Sequence, residues 1–467
     1  MAQPTSSTVL TASNNFTLLV LVALDCFGLV AIFNFNHLIF AEAVAPNLLL
    51  TWKLILIAGF TFLYYYLMDL YTFNSPLSQL GMLERSFIAM LLTGITTVVT
   101  VYIIGPTFIG GFVGRGVLAA SLIALWLWSL GIRYLLNNWF VRQRSQVKWP
   151  VIVESSLSQF LSDFRSQYEY EQLVLLNQPG SEQPVVDDEF CQWAGDWDDL
   201  ETRLASDEFA GVIITTAEQI PEQLIDRLMQ IRINGLRIFR LSDFYEQYLS
   251  KLPIFQLNQH WLATAHGFEL IHNPIGLRFK RYIDIVIALV GGLVLLPLII
   301  AVAVAIVGSS GWPIFYRQVR TGENGKQFTV IKFRTMGVDA EVDGAQFAQE
   351  NDPRITSLGK MLRKFRIDEI PQLWNVLKGE MSFIGPRPER PEFIQMLKQD
   401  IPYYDLRHMM KPGITGWAQV KYGYGDSDED AAEKLQYDLF YIKNYSLILD
   451  ISILVRSIKV ILFGTGR

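Results

Sequence analysis

The sequence predicts a membrane protein of mixed class: helical in its first third, α/β in the middle, and mostly helical with some strand in its C-terminal part. Three observations predict this. Four apolar runs fill the first third, short strand-like and helix-like segments alternate over 149–250, and a further apolar run at 282–307 is interrupted by glycine and proline. Composition agrees. Of 467 residues 51% are hydrophobic and 18% charged, too apolar for an ordinary soluble enzyme and too charged for a chain wholly within the bilayer. The formal net charge of −6 argues against nucleic acid as a partner. The two cysteines, Cys26 and Cys191, lack metal-ligand spacing.

The apolar runs at 16–40, 49–70, 86–105 and 116–132 each approach the length of a membrane-spanning helix. They predict an N-terminal four-helix transmembrane domain over 1–140. The N-terminus lacks the basic start and cleavage site of a signal peptide, so the first run is expected to stay on the protein. Arg133, Arg142, Arg144 and Lys148 follow the fourth run and mark its end as cytoplasmic, which puts the N-terminus on the same side. Asp25 lies inside the first run. It is either a functional acid or one packed within the helix group.

Over 149–250 the segments 151–154, 172–176, 211–216 and 236–241 read as short buried strands, with helical patterns such as 220–233 between them. This predicts an open parallel sheet in a degenerate Rossmann-like domain. The GxGxxG phosphate cradle is missing, because ESSLSQ follows the first strand. The domain is therefore expected to be a scaffold or sensor. The acidic run at 196–199 resembles a DxD metal motif but reads as a polar loop.

The run 282–307 is long enough to cross a bilayer, yet Gly291, Gly292 and Pro297 interrupt it. Arg278, Lys280 and Arg281 precede it, and Arg317, Arg320 and Lys326 follow it. Both flanks being basic, the positive-inside rule asks for both ends on the cytoplasmic face. A re-entrant helix broken at Pro297 satisfies that demand and a single span does not.

Within 268–467 the strand-like stretch 328–336 puts Lys332 and Arg334 on one face, either to receive a diphosphate or as a solvated basic edge. Further on, Ile367, Ile370, Leu373, Trp374 and Leu377 recur at helical spacing, with Pro371 in the first turn and Gly379 at the stop. Asp368 and Glu369 then sit at a helix start, where backbone N–H groups favour anions. They are either an N-cap with a first-turn acid or a reactive carboxylate beside a metal ligand. Arg363 precedes them. The Gly385-Pro386-Arg387-Pro388 loop follows, and its prolines fix the Arg387 backbone so that a guanidinium stands ready for phosphate.

These stretches carry a resemblance. RFKRYIDI (278–285), the proline-broken run, VIKFRTM (330–336), NDPRITSLGK (351–360), RIDEIPQLWNVLKGEMSFIGPRP (366–388) and KPGITGWAQV (411–420) resemble the bacterial sugar transferase family, the monotopic phosphoglycosyl transferases. The N-terminal architecture is similar to the long-form polyprenyl-phosphate hexose-1-phosphate transferases. The resemblance implies transfer of a sugar-1-phosphate from a nucleotide-activated sugar, usually a UDP-hexose, to undecaprenyl phosphate. UMP leaves, and an exopolysaccharide, capsule or O-antigen-type glycan is started. It implies Asp368 as nucleophile forming a phosphosugar-aspartyl intermediate, Glu369 as the holder of Mg²⁺, and Lys332, Arg363 and Arg387 as phosphate ligands. It also implies an active site on the cytoplasmic face of the bacterial inner membrane. A homodimer through the α/β domain is a further expectation.

Two departures stand out. The Gly-Arg-Asn common in the family after the WAQV-like segment is replaced by VKYGYGDSDED, with Lys421 as a possible substitute cation, which leaves the choice of nucleotide and sugar open. The serine often found before the membrane-break proline is Leu296. Asp426 and Asp428 admit a different reading, as the DxD of a GT-A-type glycosyltransferase or as the first turn of an acidic helix. A non-enzymatic nucleotide-sensing scaffold is the remaining alternative. The final run 446–463 is expected along the membrane surface or in the core.

Overall fold

In the computed structural model the described residues are 6–40, 52–68, 70–71, 79–100, 115–144, 147–153, 157–168, 171–177, 191–197, 209–215, 222–257, 259–268, 273–337, 340, 352–423 and 427–463. The chain divides into two compact units, Met1–Phe244 and Tyr245–Arg467.

The first unit opens with four helices: α1 (Ser6–Phe40), α2 (Trp52–Leu67), α3 (Gln79–Val98) and α4 (Arg115–Arg144). Helix α1 lies against α4, α2 against α3, and α3 against α4. Two contain stretches long and apolar enough to cross a membrane, Leu18–Ile39 and Gly116–Leu136. Helix α2 is apolar but has only 16 residues, which at about 1.5 Å each fall short of a ~30 Å hydrocarbon core. Large apolar side chains such as Leu19, Phe27, Leu38, Ile55 and Leu127 point outward, while Thr61, Ser86, Thr93, Ser121 and Ser129 are buried between helices. This distribution suits helices whose outer surface meets hydrocarbon, because small polar residues let backbones approach and bond across. Trp126 Nε1 donates to Ser86 Oγ at 3.1 Å and Asn36 Nδ2 to Ser121 Oγ at 3.2 Å.

Asp25 has a partner that its sequence context did not indicate. Its carboxylate accepts from Arg133 Nη1 at 3.1 Å and Nη2 at 2.8 Å, and both side chains are 1% exposed. Arg133 Nε donates to the Leu70 carbonyl, and the guanidinium lies 4.7 Å from the centroid of the Tyr65 ring. Arg133 is thus an interior residue of the helix group, not part of the solvated basic flank.

A five-stranded sheet follows, with every neighbouring pair parallel: β1 (Lys148–Val153), β2 (Gln172–Asn177), β3 (Cys191–Asp196), β4 (Val212–Ile214) and β5 (Ile238–Arg240), in the order 3-2-1-4-5. Helices α5 (Ser158–Gln167) and α6 (Glu222–Ile233) connect its strands. The strands of β1, β2 and β4 are buried almost throughout, as both-face coverage of a parallel sheet requires. Strand β3 lies where the sequence predicts no strand, and its last residue, Asp196, begins the acidic run that reads as a polar loop. Residues 198–199 of the acidic run lie outside the described residues.

The second unit contains the broken helix. Helix α7 (Pro274–Val294) starts on Asn273, whose side chain accepts from the Ile275 and Gly276 amides. Helix α8 (Leu296–Ser310) leaves it at 61°. The bend falls at Leu295, two residues before the proline, because Pro297 occupies the first turn of α8 and a proline ring clashes with the turn preceding it. Helix α7 buries Lys280, Asp284 and Ala288, four residues apart, while Phe279, Tyr282, Val286, Leu289 and Leu293 face outward. Lys280 Nζ meets Asp450 Oδ2 at 2.7 Å, and Asp284 accepts from the Phe383 amide at 2.9 Å.

An antiparallel hairpin, β6 (Phe315–Thr321) and β7 (Gln327–Phe333), pairs Tyr316 with Lys332 and Phe315 with Phe333. Next come α9 (Ser357–Lys364), a 3₁₀ segment (Ile367–Gln372), α10 (Leu373–Lys378) and a parallel two-stranded ladder of β8 (Ser382–Ile384) and β9 (Gly413–Thr415). Gly379 ends α10 at φ 86°, the left-handed stop that glycine takes without penalty. The Arg281 guanidinium donates to the last carbonyls of α10, Val376 and Leu377. Glycine is required at 385 and 413 because the backbones meet there: a Cβ on Gly413 would lie 2.1 Å from the Gly385 nitrogen.

Candidate active site

Three elements bring the charged residues together. Strand β7 supplies Lys332, the turn after α9 supplies Arg366, Asp368 and Glu369, and the loop after β8 supplies Arg387. The helix start lies slightly earlier than the spacing predicts. Arg366 takes the N-cap position in a left-handed conformation, φ 53°, so Asp368 and Glu369 fall inside the first 3₁₀ turn. Positive φ at a side-chain-bearing residue is sparsely populated and is concentrated at functional sites.

Asp368 and Glu369 are 8% and 5% exposed. Glu369 Oε1 accepts from Lys332 Nζ at 3.1 Å and Arg387 Nη2 at 2.9 Å, and Oε2 lies 3.6 Å from Arg366 Nη1. Burial works to raise the Glu369 carboxyl, but Arg387, Lys332 and Arg366 outweigh it and hold the group well below the ordinary carboxylate range. Asp368 goes the other way. Burial and the adjacent Glu369 charge raise it, with Lys332, Arg363 and Arg387 opposing. Burial likewise lowers the Lys332 ammonium, against the pull of Glu369. Two neighbouring carboxyls pushed apart in this way suit two different tasks.

Arg387 is held from behind. Its carbonyl accepts from Arg407 Nη2 at 3.0 Å, and Arg407 in turn pairs with buried Asp438 at 2.9 Å. Arg320 Nη1 donates to the Pro388 carbonyl at 3.2 Å. The loop is thus fixed by its prolines and by two arginines. Arg387 keeps 39% of its side chain exposed, so its donors can reach a ligand. Arg363 Nε donates to Thr335 Oγ1 at 2.8 Å, close enough to Asp368 for its charge to oppose the rise of that carboxyl.

Not every predicted cation is here. Arg334 is buried and its Nη2 donates to the Ser310 and Gly311 carbonyls at 2.6 Å each, capping the C-terminus of α8. Strand β7 ends at Phe333, so the alternation that would pair Arg334 with Lys332 stops one residue short. Lys421 ends the short helix Trp417–Lys421 with its ammonium 5.1 Å from the Trp417 ring centroid. Asp426 lies outside the described residues. Ser427 caps the helix Asp428–Lys443 through a reciprocal box with Asp430, which gives the acidic stretch a helix-initiating role. Sequence places Arg320 only in the basic flank of the broken run and gives Arg366 and Arg407 no role of their own. Arg366 does carry a signal, three residues before Glu369.

A cavity of about 180 Å³ opens beside the pair, with Arg366 and Glu369 on its wall.

The family model described as bacterial sugar transferase matches residues 275–464, the stretch holding all of these groups. A putative undecaprenyl-phosphate N-acetylgalactosaminyl 1-phosphate transferase of Bacillus subtilis is 47% identical over 147 residues, 31% of this chain and 82% of that one. The chain belongs to the bacterial sugar transferase family. Two longer relatives of this sugar transferase match as well. One, from Aeromonas hydrophila, is named a UDP-N-acetylgalactosamine-undecaprenyl-phosphate N-acetylgalactosaminephosphotransferase; it is 41% identical over 239 residues, 51% of this chain and 55% of that one. The other, from Xanthomonas campestris pv. campestris, is named a UDP-glucose:undecaprenyl-phosphate glucose-1-phosphate transferase; it is 38% identical over 242 residues, 50% and 48% respectively. The chain thus spans about half the length of these two relatives.

Proposed function

We propose that this sugar transferase moves a hexose-1-phosphate from a UDP-sugar to undecaprenyl phosphate through a covalent aspartyl intermediate. The observation that carries the reading is the pair itself: a buried carboxyl raised above its usual range beside a second carboxylate held ionised by Lys332, Arg366 and Arg387. In the first step an Asp368 oxygen attacks the sugar-bearing phosphorus. The bridging P–O bond breaks, its electron pair leaves with UMP, and an acyl phosphate forms. In the second step an oxygen of the lipid phosphate attacks the same phosphorus, and Asp368 leaves as the free carboxylate. Covalent catalysis divides one displacement between two charged phosphates into two. Lys332, Arg363 and Arg387 balance the phosphate charge.

Magnesium takes one or two carboxylates and completes its shell with water and substrate phosphate. Glu369 offers one, and the described residues contain no cluster of three acidic, imidazole or thiol groups. The donor set therefore fits an ion that arrives with the nucleotide sugar. Glu369 would hold it, after exchanging one of its present cations for the metal. The ion would supply further neutralisation of the diphosphate.

The remaining parts of the proposal are topological. The four N-terminal helices form a bundle in the inner membrane, with α1 and α4 crossing it, the parallel sheet is a degenerate Rossmann-like domain that pairs two copies, and the active site faces the cytoplasm. The product would start an exopolysaccharide, capsule or O-antigen-type glycan. The names of the relatives favour glucose or N-acetylgalactosamine as the sugar.

The deciding measurement is the nucleotide released by purified protein given polyprenyl phosphate, Mg²⁺ and a panel of UDP-sugars. UMP is expected. UDP would overturn the proposal and favour a GT-A-type glycosyltransferase, while neither product would favour a sensing scaffold.

A further inference from the structure

The first limb of the broken helix reaches the Arg387 loop through one carboxylate. Asp284 is 4% exposed, and its Oδ1 accepts from the Ser382 hydroxyl at 3.0 Å and from the Phe383 amide at 2.9 Å. Both donors lie on β8, a strand of three residues that pairs with β9 alone. Successive amides of a strand point to opposite edges, and an edge without a neighbour leaves its donors open. The Ser382 amide donates to the Pro412 carbonyl on the β9 side at 2.9 Å. The Phe383 amide therefore faces the other edge, where among the described residues no third strand receives it. Asp284 stands in for that strand.

A buried carboxylate is a costly way to satisfy one amide. In return, a hydrogen bond to a charged acceptor is shorter and roughly twice as strong as a neutral one, which suits an anchor. Helix α7 is itself fixed one turn earlier. Lys280 Nζ donates to Asp450 Oδ2 on the last helix (Leu447–Phe463) at 2.7 Å, and the Tyr441 hydroxyl donates to Asp450 Oδ1 at 2.7 Å. From β8 the chain runs to the active site with its backbone tied. The Gly385 amide donates to the Thr415 carbonyl, and the Pro386 carbonyl accepts from the Gly413 amide, both at 2.9 Å. There is no slack at Gly385, where a Cβ would lie 2.3 Å from the Lys411 carbonyl oxygen. Arg387 follows Pro386 directly, and its Nη2 meets Glu369 Oε1 at 2.9 Å.

The geometry points to Asp284 as a positioning residue that sets the Arg387 guanidinium against Glu369 and the substrate phosphate. It acts through β8: the carboxylate fixes the free edge of the strand, and the tied Gly385-Pro386 backbone carries that placement to Arg387. This rests on the function proposed above for the task of Arg387 toward phosphate. It gives α7, whose outward face is apolar, a part in the reaction as well.

The test is a double-mutant cycle in the full-length protein, read as nucleotide release at high enzyme concentration so that residual activity is measured. Asp284→Ala leaves the Phe383 amide unpaired and should lower kcat/KM for the UDP-sugar by about tenfold or more. Arg387→Ala should lower it further. Once Arg387 is gone, adding Asp284→Ala should change kcat/KM by no more than about twofold. Asp284→Asn keeps an oxygen facing the Phe383 amide and should stay within about threefold of wild type. Ser382→Ala removes the other bond and gives a second route through the cycle should Asp284→Ala fail to fold. It should lower kcat/KM about threefold alone and have no effect beside Arg387→Ala. A role confined to holding the fold predicts losses that multiply. Multiplying losses, or Asp284→Ala protein as active as wild type, overturn the assignment. Release of UDP in place of UMP would instead overturn the proposed reaction and leave the cycle readable, so the two failures are distinguishable.

Discussion

At the scale of single residues, the separation of Asp368 from Glu369 makes two predictions. Asp368→Asn removes the attacking oxygen, so both turnover and the UMP burst should fall by about a thousandfold or more, as in other sites that lose a nucleophile. A burst that persists would show that another group attacks. The second prediction concerns pH. Attack needs the ionised carboxylate, and burial with the Glu369 charge raises the Asp368 carboxyl. The acid limb of kcat/KM should therefore lie above the ordinary carboxylate range, with activity lost as pH falls through it. Glu369→Gln removes one of the raising causes, so the limb should move to lower pH even as kcat drops. A limb that stays put would mean Glu369 does not shape the nucleophile.

At the scale of elements, sequence and structure agree where periodicity is strong and part where a partner is remote. Gly379, Pro371 and the apolar spacing of 367–377 mark a helix because each signal is local. Strand β3 was not legible: its residues Cys191–Asp196 are mostly small or polar and gain their conformation from pairing with β2. The charged groups divide similarly. Asp368, Glu369 and Arg387 were readable within one continuous stretch, whereas Arg407 acts on Arg387 through a carbonyl twenty residues away in sequence. Asp25 and Arg133 are 108 residues apart, so Arg133 reads as a flank while it serves as a buried counter-ion. Removing one member leaves the other charged and buried. Asp25→Ala should destabilise the helices by about 3–5 kcal/mol, whereas replacing both residues with apolar ones should cost far less. Thermal unfolding of the detergent-solubilised protein distinguishes these outcomes; equal losses would deny the pairing.

A pH-dependent term belongs to the 3₁₀ segment Tyr404–Met409 behind the Arg387 loop. Burial, with Arg407 nearby, lowers His408 to about 4, against the opposing charge of Asp405. The folded protein then binds fewer protons than the unfolded chain between the ordinary value of 6.5 and about 4. Stability attributable to His408 is full above 6.5 and is lost as pH falls through this window. His408→Gln should flatten the fall in Tm over that range, and an unchanged slope would reject the assignment.

At the scale of the molecule, the question is whether α7 and α8 cross the membrane or dip into it and return. The sequence argument counted basic residues on both flanks, and the structure reduces that count. Lys280 is paired with Asp450, Arg281 caps α10, and Arg320 is paired with Glu389. Packing supplies a stronger reason. Ala288 of α7 shares a core cluster with Val330, while Ile306 of α8 shares one with Phe333, and both partners lie on β7. Two limbs tied to the same short strand favour the re-entrant reading, because far ends on opposite faces of a ~30 Å hydrocarbon layer would pull that strand into it. On the re-entrant reading the 61° bend at Leu295 would mark the deepest point of the excursion and would keep the site at Asp368 at headgroup level. The hairpin turn at Lys326, between β6 and β7, reports on this. With Cys26 and Cys191 replaced by serine, Lys326→Cys should resist a membrane-impermeant thiol reagent in intact cells and react once the cells are opened. Labelling in intact cells would mean that the pair spans the bilayer and that the active site faces the outside.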